Sequence, residues 1–131
     1  VSVGQPGFPA FFTRESGFKA DFQLDTALEQ AAFIHTKWQL GLRGGVVVSN
    51  PVPAMLAMPK EEIDRTTEQA LDEADKRGVS GKAVTPFLLA RIKELTEGRS
   101  LMTNIALVKH NAKVGAELAA ALHALPGMQP V

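Results

Sequence analysis

Polar and apolar positions along this chain follow two different periods. Phe22-Gln23-Leu24 alternates with a period of two and ends at Asp25, the pattern of a short strand. Leu28, Ala31, Ala32, Ile34 and Trp38 then recur at helical spacing and predict a helix over about 26–40. Thr26 with Glu29 three residues later forms a capping box, and Gly41 supplies the stop. Gly44-Gly45-Val46-Val47-Val48-Ser49 shows no polar alternation. A β-branched run of that kind predicts a strand buried on both faces, as in the parallel sheet of an α/β protein. Asn50-Pro51-Val52-Pro53 closes it in a rigid loop.

The second half reads as helical throughout. Pro59 opens a helix over about 60–77, with Glu61, Glu62 and Asp64 complementing the dipole of its first turn. Its apolar stripe is Ile63, Thr67, Ala70, Leu71 and Ala74, and the remaining positions are charged. Thr85-Pro86 reads as an N-cap followed by proline at the first helical position, and that helix runs to Gly98. Ser100 reads as the cap of the longest helix. There Leu101, Ile105, Val108, Ala112, Gly115, Ala119 and Leu122 form a seam suited to another helix or subunit. Pro126 ends the regular structure, and the tail to Val131 is expected to fray. Residues 1–18 are dense in Gly, Pro and Phe and read as a short strand entering a loop. Its four phenylalanines are expected to plug a core or a subunit contact. The element order is thus β-α-β-α-α-α. The fold class is α/β, a mixed sheet flanked by helices.

Composition narrows the function classes. The chain has 131 residues, 14 Lys+Arg against 14 Asp+Glu, and no cysteine. That length suits one domain. Zero net charge gives no support for a nucleic-acid partner or an anionic membrane surface. Without cysteine there is no disulfide, no Cys-ligated zinc and no thiol nucleophile, so a cytoplasmic location is expected. No uninterrupted apolar run approaches the ~20 residues of a membrane span, and no signal peptide is visible.

Candidate chemistry starts with the histidines. His35, His110 and His123 lack the spacing that would put two imidazoles on one helix face. His110 and His123 lie about 220° apart around a helix, so no metal ligands are assigned in this chain. Asn104 and Asn111, seven residues apart, lie about 20° from each other and flank the apolar seam of the long helix. Amides in that position either hydrogen-bond a neighbouring helix or read a planar polar ligand. Asn50 directly follows the Val46–Ser49 strand, and in α/β sheets ligands gather beyond the carboxyl ends of strands. Lys37, Lys82 and Lys109 read as surface lysines.

Taken together, several stretches resemble pseudouridine-5′-phosphate glycosidase, the indigoidine synthase A-like family. The residues that carry the likeness are Phe8-Pro9-Ala10-Phe11-Phe12-Thr13-Arg14-Glu15-Ser16-Gly17-Phe18, Lys37 to Gly45, and Val46-Val47-Val48-Ser49-Asn50-Pro51-Val52-Pro53. Further on come Gly81-Lys82, Thr85 to Ile92, Ser100-Leu101, and Asn104-Ile105-Ala106-Leu107-Val108 with Asn111-Ala112. The likeness spans about 8–122, in family order, while residues 1–7 fit less closely.

The resemblance implies an enzyme of roughly twice this length that reversibly cleaves the C–C glycosidic bond of pseudouridine 5′-phosphate. The products are uracil and ribose 5-phosphate, and the sugar is held as an imine on a lysine. It also implies a homotrimer, a divalent metal such as Mn2+, and a layered α-β fold of which this chain is the C-terminal portion. The imine-forming lysine, the glutamate and the metal-binding aspartate fall upstream of the matched region, so the isolated 131-residue piece, which begins at Val1, is expected to be inactive. Asn104, in the Asn-Ile-x-Leu-Val motif, is the active-site group that carries over; the resemblance puts it beside base and sugar. Asn50, Thr85 and Asn111 match family motifs and are candidate substrate-binding residues. The alternative reading is a non-catalytic α/β interaction module that keeps the family scaffold.

Overall fold

The structure, a computed structural model, describes residues 1–126; the tail expected to fray, 127–131, lies outside them. It contains four α-helices: α1 Ala27–Gln39, α2 Lys60–Lys76, α3 Val84–Leu95 and α4 Arg99–Ala124. Single 3₁₀ turns at Ala54–Leu56 and Gly81–Ala83 lead into α2 and α3. Helix α1 packs on α4, α2 packs on α3, and α3 meets the start of α4.

Helix α1 forms as its signals predict. Thr26 Oγ1 accepts from the Glu29 N–H at 3.2 Å, and the Glu29 carboxylate accepts from the Thr26 N–H at 2.9 Å. Two orphan donors of the first turn are thereby satisfied reciprocally. Gly41, at φ +70°, makes the left-handed exit that glycine alone adopts without cost.

The expected mixed sheet is much smaller than the sequence implies. Among the described residues no continuous strand forms; Ser2 instead makes parallel bridges to Gln23 and to Ser49. The Ser2 N–H donates to Phe22 O at 2.8 Å and the Ser49 N–H to Val1 O at 2.8 Å. Residues 1–3 therefore lie between 22–24 and 47–49 in a short parallel ladder. Left-handed Gly4 ends its middle segment, while Gly44 and Asn50-Pro51 bound the 46–49 segment on either side. The reading of Val46–Ser49 as buried on both faces is also corrected. Ser49 is buried, but Val47 is 70% exposed. No further segment among the described residues pairs with that edge.

Burial concentrates where the N-terminal loop meets the helices. Phe12, Met58, Ile63, Ala70 and Ile92 form one apolar cluster, with Leu88 packed against it. Only Phe12 of the four loop phenylalanines plugs the core. Phe8 and Phe11 are exposed, and Phe18 is 75% exposed. Two ion pairs tie α2 to its neighbours across the surface. Arg91 meets Glu73 at 2.7 Å and 3.0 Å, and Arg99 pairs with Glu62.

Two expected caps are replaced. The residue preceding α3 is Ala83, and Thr85 is the second residue of the helix, because the Gly81–Ala83 turn runs straight into it. The residue preceding α4 is left-handed Gly98, and Ser100 sits inside the first turn, buried. Its cap comes from Thr96, which is fully buried. Thr96 Oγ1 donates to Ile92 O at 2.7 Å and accepts from the Ser100 N–H at 3.2 Å. One hydroxyl thus closes α3 and opens α4.

The seam read along α4 also faces the other way. Ser100, Thr103 and Leu107 are the buried residues of α4, whereas Leu101, Ile105 and Val108 are exposed. The buried face carries hydroxyls as well as Leu107, so the most apolar stripe of the helix is not the one that meets the rest of the chain.

Thr96→Val should lower stability by about 1–3 kcal/mol in urea denaturation, with Thr96→Ser recovering most of the loss. Arg91 foremost, then Gln69, holds the Glu73 carboxyl below the ordinary value of 4.5 by hydrogen bonding; Arg99 does the same for Glu62 and the Thr26 backbone for Glu29. Such groups bind fewer protons folded than unfolded. Their stabilisation is therefore complete above the ordinary glutamate range and is lost as pH falls through the depressed values. The urea midpoint should fall on acidification, and Glu73→Gln should lower the neutral midpoint while flattening that acid limb.

Candidate functional site

The carboxyl end of the ladder and the middle of α4 converge on an open cleft of about 350 Å³. Phe8, Phe11, Val48, Asn50, Asn111 and Leu118 are among the residues that line it. Parallel ladders release their chain at the carboxyl end, where side chains of the following loop are free to face a ligand. Asn50 occupies that position here, as its place after Ser49 predicts.

Asn50 and Asn111 are brought together although sixty-one positions separate them. Asn50 Nδ2 donates to Asn111 Oδ1 at 3.0 Å. The same Nδ2 lies 3.0 Å from Nδ1 of His110, a residue the sequence considered only as a metal ligand. His110 Nδ1 is in turn 3.3 Å from Pro51 O. No local signal marks this use of His110, because its partners come from a distant loop.

Asn104 and Thr85 lie in separate clefts. Two helical turns, about 10.5 Å along the axis, separate Asn104 from Asn111 on α4. Asn104 is half-buried in a cleft of about 260 Å³ shared with Phe12, Leu89, Lys93 and Ser100. Thr85 is exposed at the head of α3, in a third cleft lined by Phe11, Phe12, Lys60 and Asp64. Phe11 walls the clefts of Asn111 and Thr85, and Phe12 those of Thr85 and Asn104. The four candidate residues are therefore arranged around one short loop segment.

Lys37, read as a surface lysine, is half-buried and donates to the carbonyls of Leu42, Arg43 and Gly44 at 2.8–3.0 Å. All three of its N–H donors are thereby committed to holding the glycine-rich turn after α1. As for a metal, no group of three or more Asp, Glu or His side chains among the described residues could hold an ion. The donor set among the described residues does not fit a manganese site, and no step runs through one.

A family model described as indigoidine synthase A like protein matches residues 1–121, which takes in the N-terminal residues that fit the resemblance less closely. A pseudouridine-5′-phosphate glycosidase of Cupriavidus pinatubonensis (strain JMP 134 / LMG 1197) is 68% identical over 122 residues, or 93% of this chain and 39% of that protein. One from Lysinibacillus sphaericus (strain C3-41) is 54% identical over 95% of this chain and 41% of its own length. The crystal structure of an indigoidine synthase A-like protein from Thermotoga maritima superposes with a TM-score of 0.80 at 35% identity, covering 92% of this chain and 39% of that one. The prealnumycin C-glycosynthase AlnA, solved with ribulose 5-phosphate, shares the fold with a TM-score of 0.83 at 24% identity, covering 94% of this chain and 40% of its own. The chain thus spans about two-fifths of the length of the curated relatives it matches.

Proposed function

We propose that this chain, which belongs to the indigoidine synthase A-like family, is the C-terminal portion of a pseudouridine-5′-phosphate glycosidase. The whole enzyme reversibly cleaves the C–C glycosidic bond of pseudouridine 5′-phosphate, giving uracil and ribose 5-phosphate. The observation that carries this reading is the 68% identity to the Cupriavidus glycosidase over 93% of the chain. Identity at that level, over 122 residues rather than a single element, supports a shared chemistry as well as a shared fold.

In this reading the chain binds and orients while the remaining part of the enzyme reacts. Breaking a C–C bond needs an electron sink at the sugar C1, which an imine on a lysine provides. We assign that lysine, the Mn2+ ligands and the metal itself to the remaining part of the protein. Lys37 supports this division, since its donors are already engaged by backbone carbonyls. Asn104 contributes an amide with two donors and one acceptor, the complement of a planar base edge. Asn111, its oxygen held by Asn50, contributes amide N–H groups in the neighbouring cleft, and Thr85 contributes a hydroxyl.

The same reading carries a homotrimer within a layered, mixed-sheet α-β fold and a cytoplasmic location. The exposed Leu101, Ile105 and Val108 stripe and the uncovered Val47 edge support the first point, since apolar surface of that extent is normally covered. Among the described residues no helix is long and apolar enough to cross a membrane.

Incubated with pseudouridine 5′-phosphate, the purified 131-residue chain should release no uracil at enzyme-like rates; release at such rates would overturn the division of labour. In the full-length protein, Asn104→Ala should lower kcat/KM on the order of 100-fold with an unchanged circular dichroism spectrum. Near-normal turnover of that variant would remove Asn104 from the site.

A further inference from the structure

We propose that His110 is a positioning residue, whose Nδ1 lone pair sets the direction of the Asn50–Asn111 hydrogen bond and so makes Asn111 a donor in the cleft. The inference rests on the glycosidase reading for its substrate but on the geometry alone for the relay. Asn50 Nδ2 carries two hydrogens and lies 3.0 Å from two atoms, Asn111 Oδ1 and His110 Nδ1. Asn111 Oδ1 can only accept, so it takes one hydrogen. The second goes to His110 Nδ1, which can take it only if that nitrogen bears a lone pair. The neutral imidazole must then hold its proton on Nε2. In this tautomer the 3.3 Å approach of Nδ1 to Pro51 O is a contact and not a hydrogen bond.

The relay has one self-consistent direction in that tautomer. Turning the Asn50 amide over would set its oxygen against the Asn111 oxygen and the Nδ1 lone pair, two acceptor–acceptor contacts in place of two hydrogen bonds. With its Oδ1 held by Asn50, Asn111 offers its own Nδ2–H groups to the cleft that it lines. The group recognised there is therefore a hydrogen-bond acceptor oxygen, on the base or on the sugar phosphate. A hydrogen on Nδ1 would reverse the relay: His110 would donate to the oxygen of a turned Asn50 amide, Asn50 would accept from Asn111 Nδ2, and Asn111 would present an acceptor to the cleft. His110 thus acts on the ligand only through two asparagines.

Two measurements on the full-length protein test this. Long-range ¹H–¹⁵N correlation of the histidine rings, assigned by the loss of one set in His110→Asn, should show His110 as the Nε2–H tautomer with an unprotonated Nδ1. An Nδ1–H tautomer overturns the relay whether or not the protein is a glycosidase. With pseudouridine 5′-phosphate, His110→Phe should raise KM about tenfold while kcat changes less than about twofold. His110→Asn should restore KM, because the asparagine Oδ1 sits where Nδ1 does and accepts the same hydrogen. Product inhibition identifies the oxygen: weaker inhibition by uracil assigns it to the base, and by ribose 5-phosphate to the sugar phosphate. An unchanged KM in His110→Phe, or no rescue by His110→Asn, refutes the positioning role. A wild-type protein without glycosidase activity refutes the functional reading instead, and leaves the tautomer to decide the relay.

Discussion

Burial of Phe12 against Met58, Ile63, Ala70 and Ile92 joins the N-terminal loop to the helical layer and anchors the segment that the candidate clefts share. The main chain reinforces the junction, with the Met58 N–H donating to Phe12 O at 2.9 Å. Phe12 is buried while its neighbour Phe11 stays exposed. The two rings meet edge to face, with centroids 4.7 Å apart and planes at 80°. A single anchored residue therefore supplies both the core contact and, through its neighbour, the shared wall of two clefts.

The legible part of this molecule was the part written in nearby residues. The Thr26–Glu29 capping box needs only four consecutive positions, and it forms as read. Helix α2, with charge on one side and Ile63, Ala70 and Ala74 on the other, is equally local. Thr85 and Ser100 mislead for the same reason. Each has a cap residue's chemistry, but a 3₁₀ turn in one case and the Thr96 hydroxyl in the other already fill the role. The sheet was over-read because three valines in a row report a preference for extended backbone. They do not report how many neighbouring segments are present to pair with it. The place of Asn50 at the candidate cleft follows from the rule about strand ends. That of His110 does not, since its meaning depends on a loop sixty residues away.

Charge plays a supporting part. Arg91 and Arg99 clasp α2 through Glu73 and Glu62, and the pairs lie on or near the surface, where single ion pairs contribute little. What they add is alignment of α2 with α3 and with the head of α4.

The ladder and the helices also differ in how far apart in sequence their partners lie, and that sets an order of assembly. Helices α2, α3 and α4 meet through short connections, so their contacts close small loops. Ser2 must instead find Ser49, and Asn50 must find Asn111, at far greater separation. Closure of a longer loop costs more entropy before any contact repays it, and non-local pairing slows folding. The amide cluster is therefore expected to form late in folding. It is complete only when the two halves of the chain have already docked, which makes its geometry a reporter of the native state rather than of any helical intermediate.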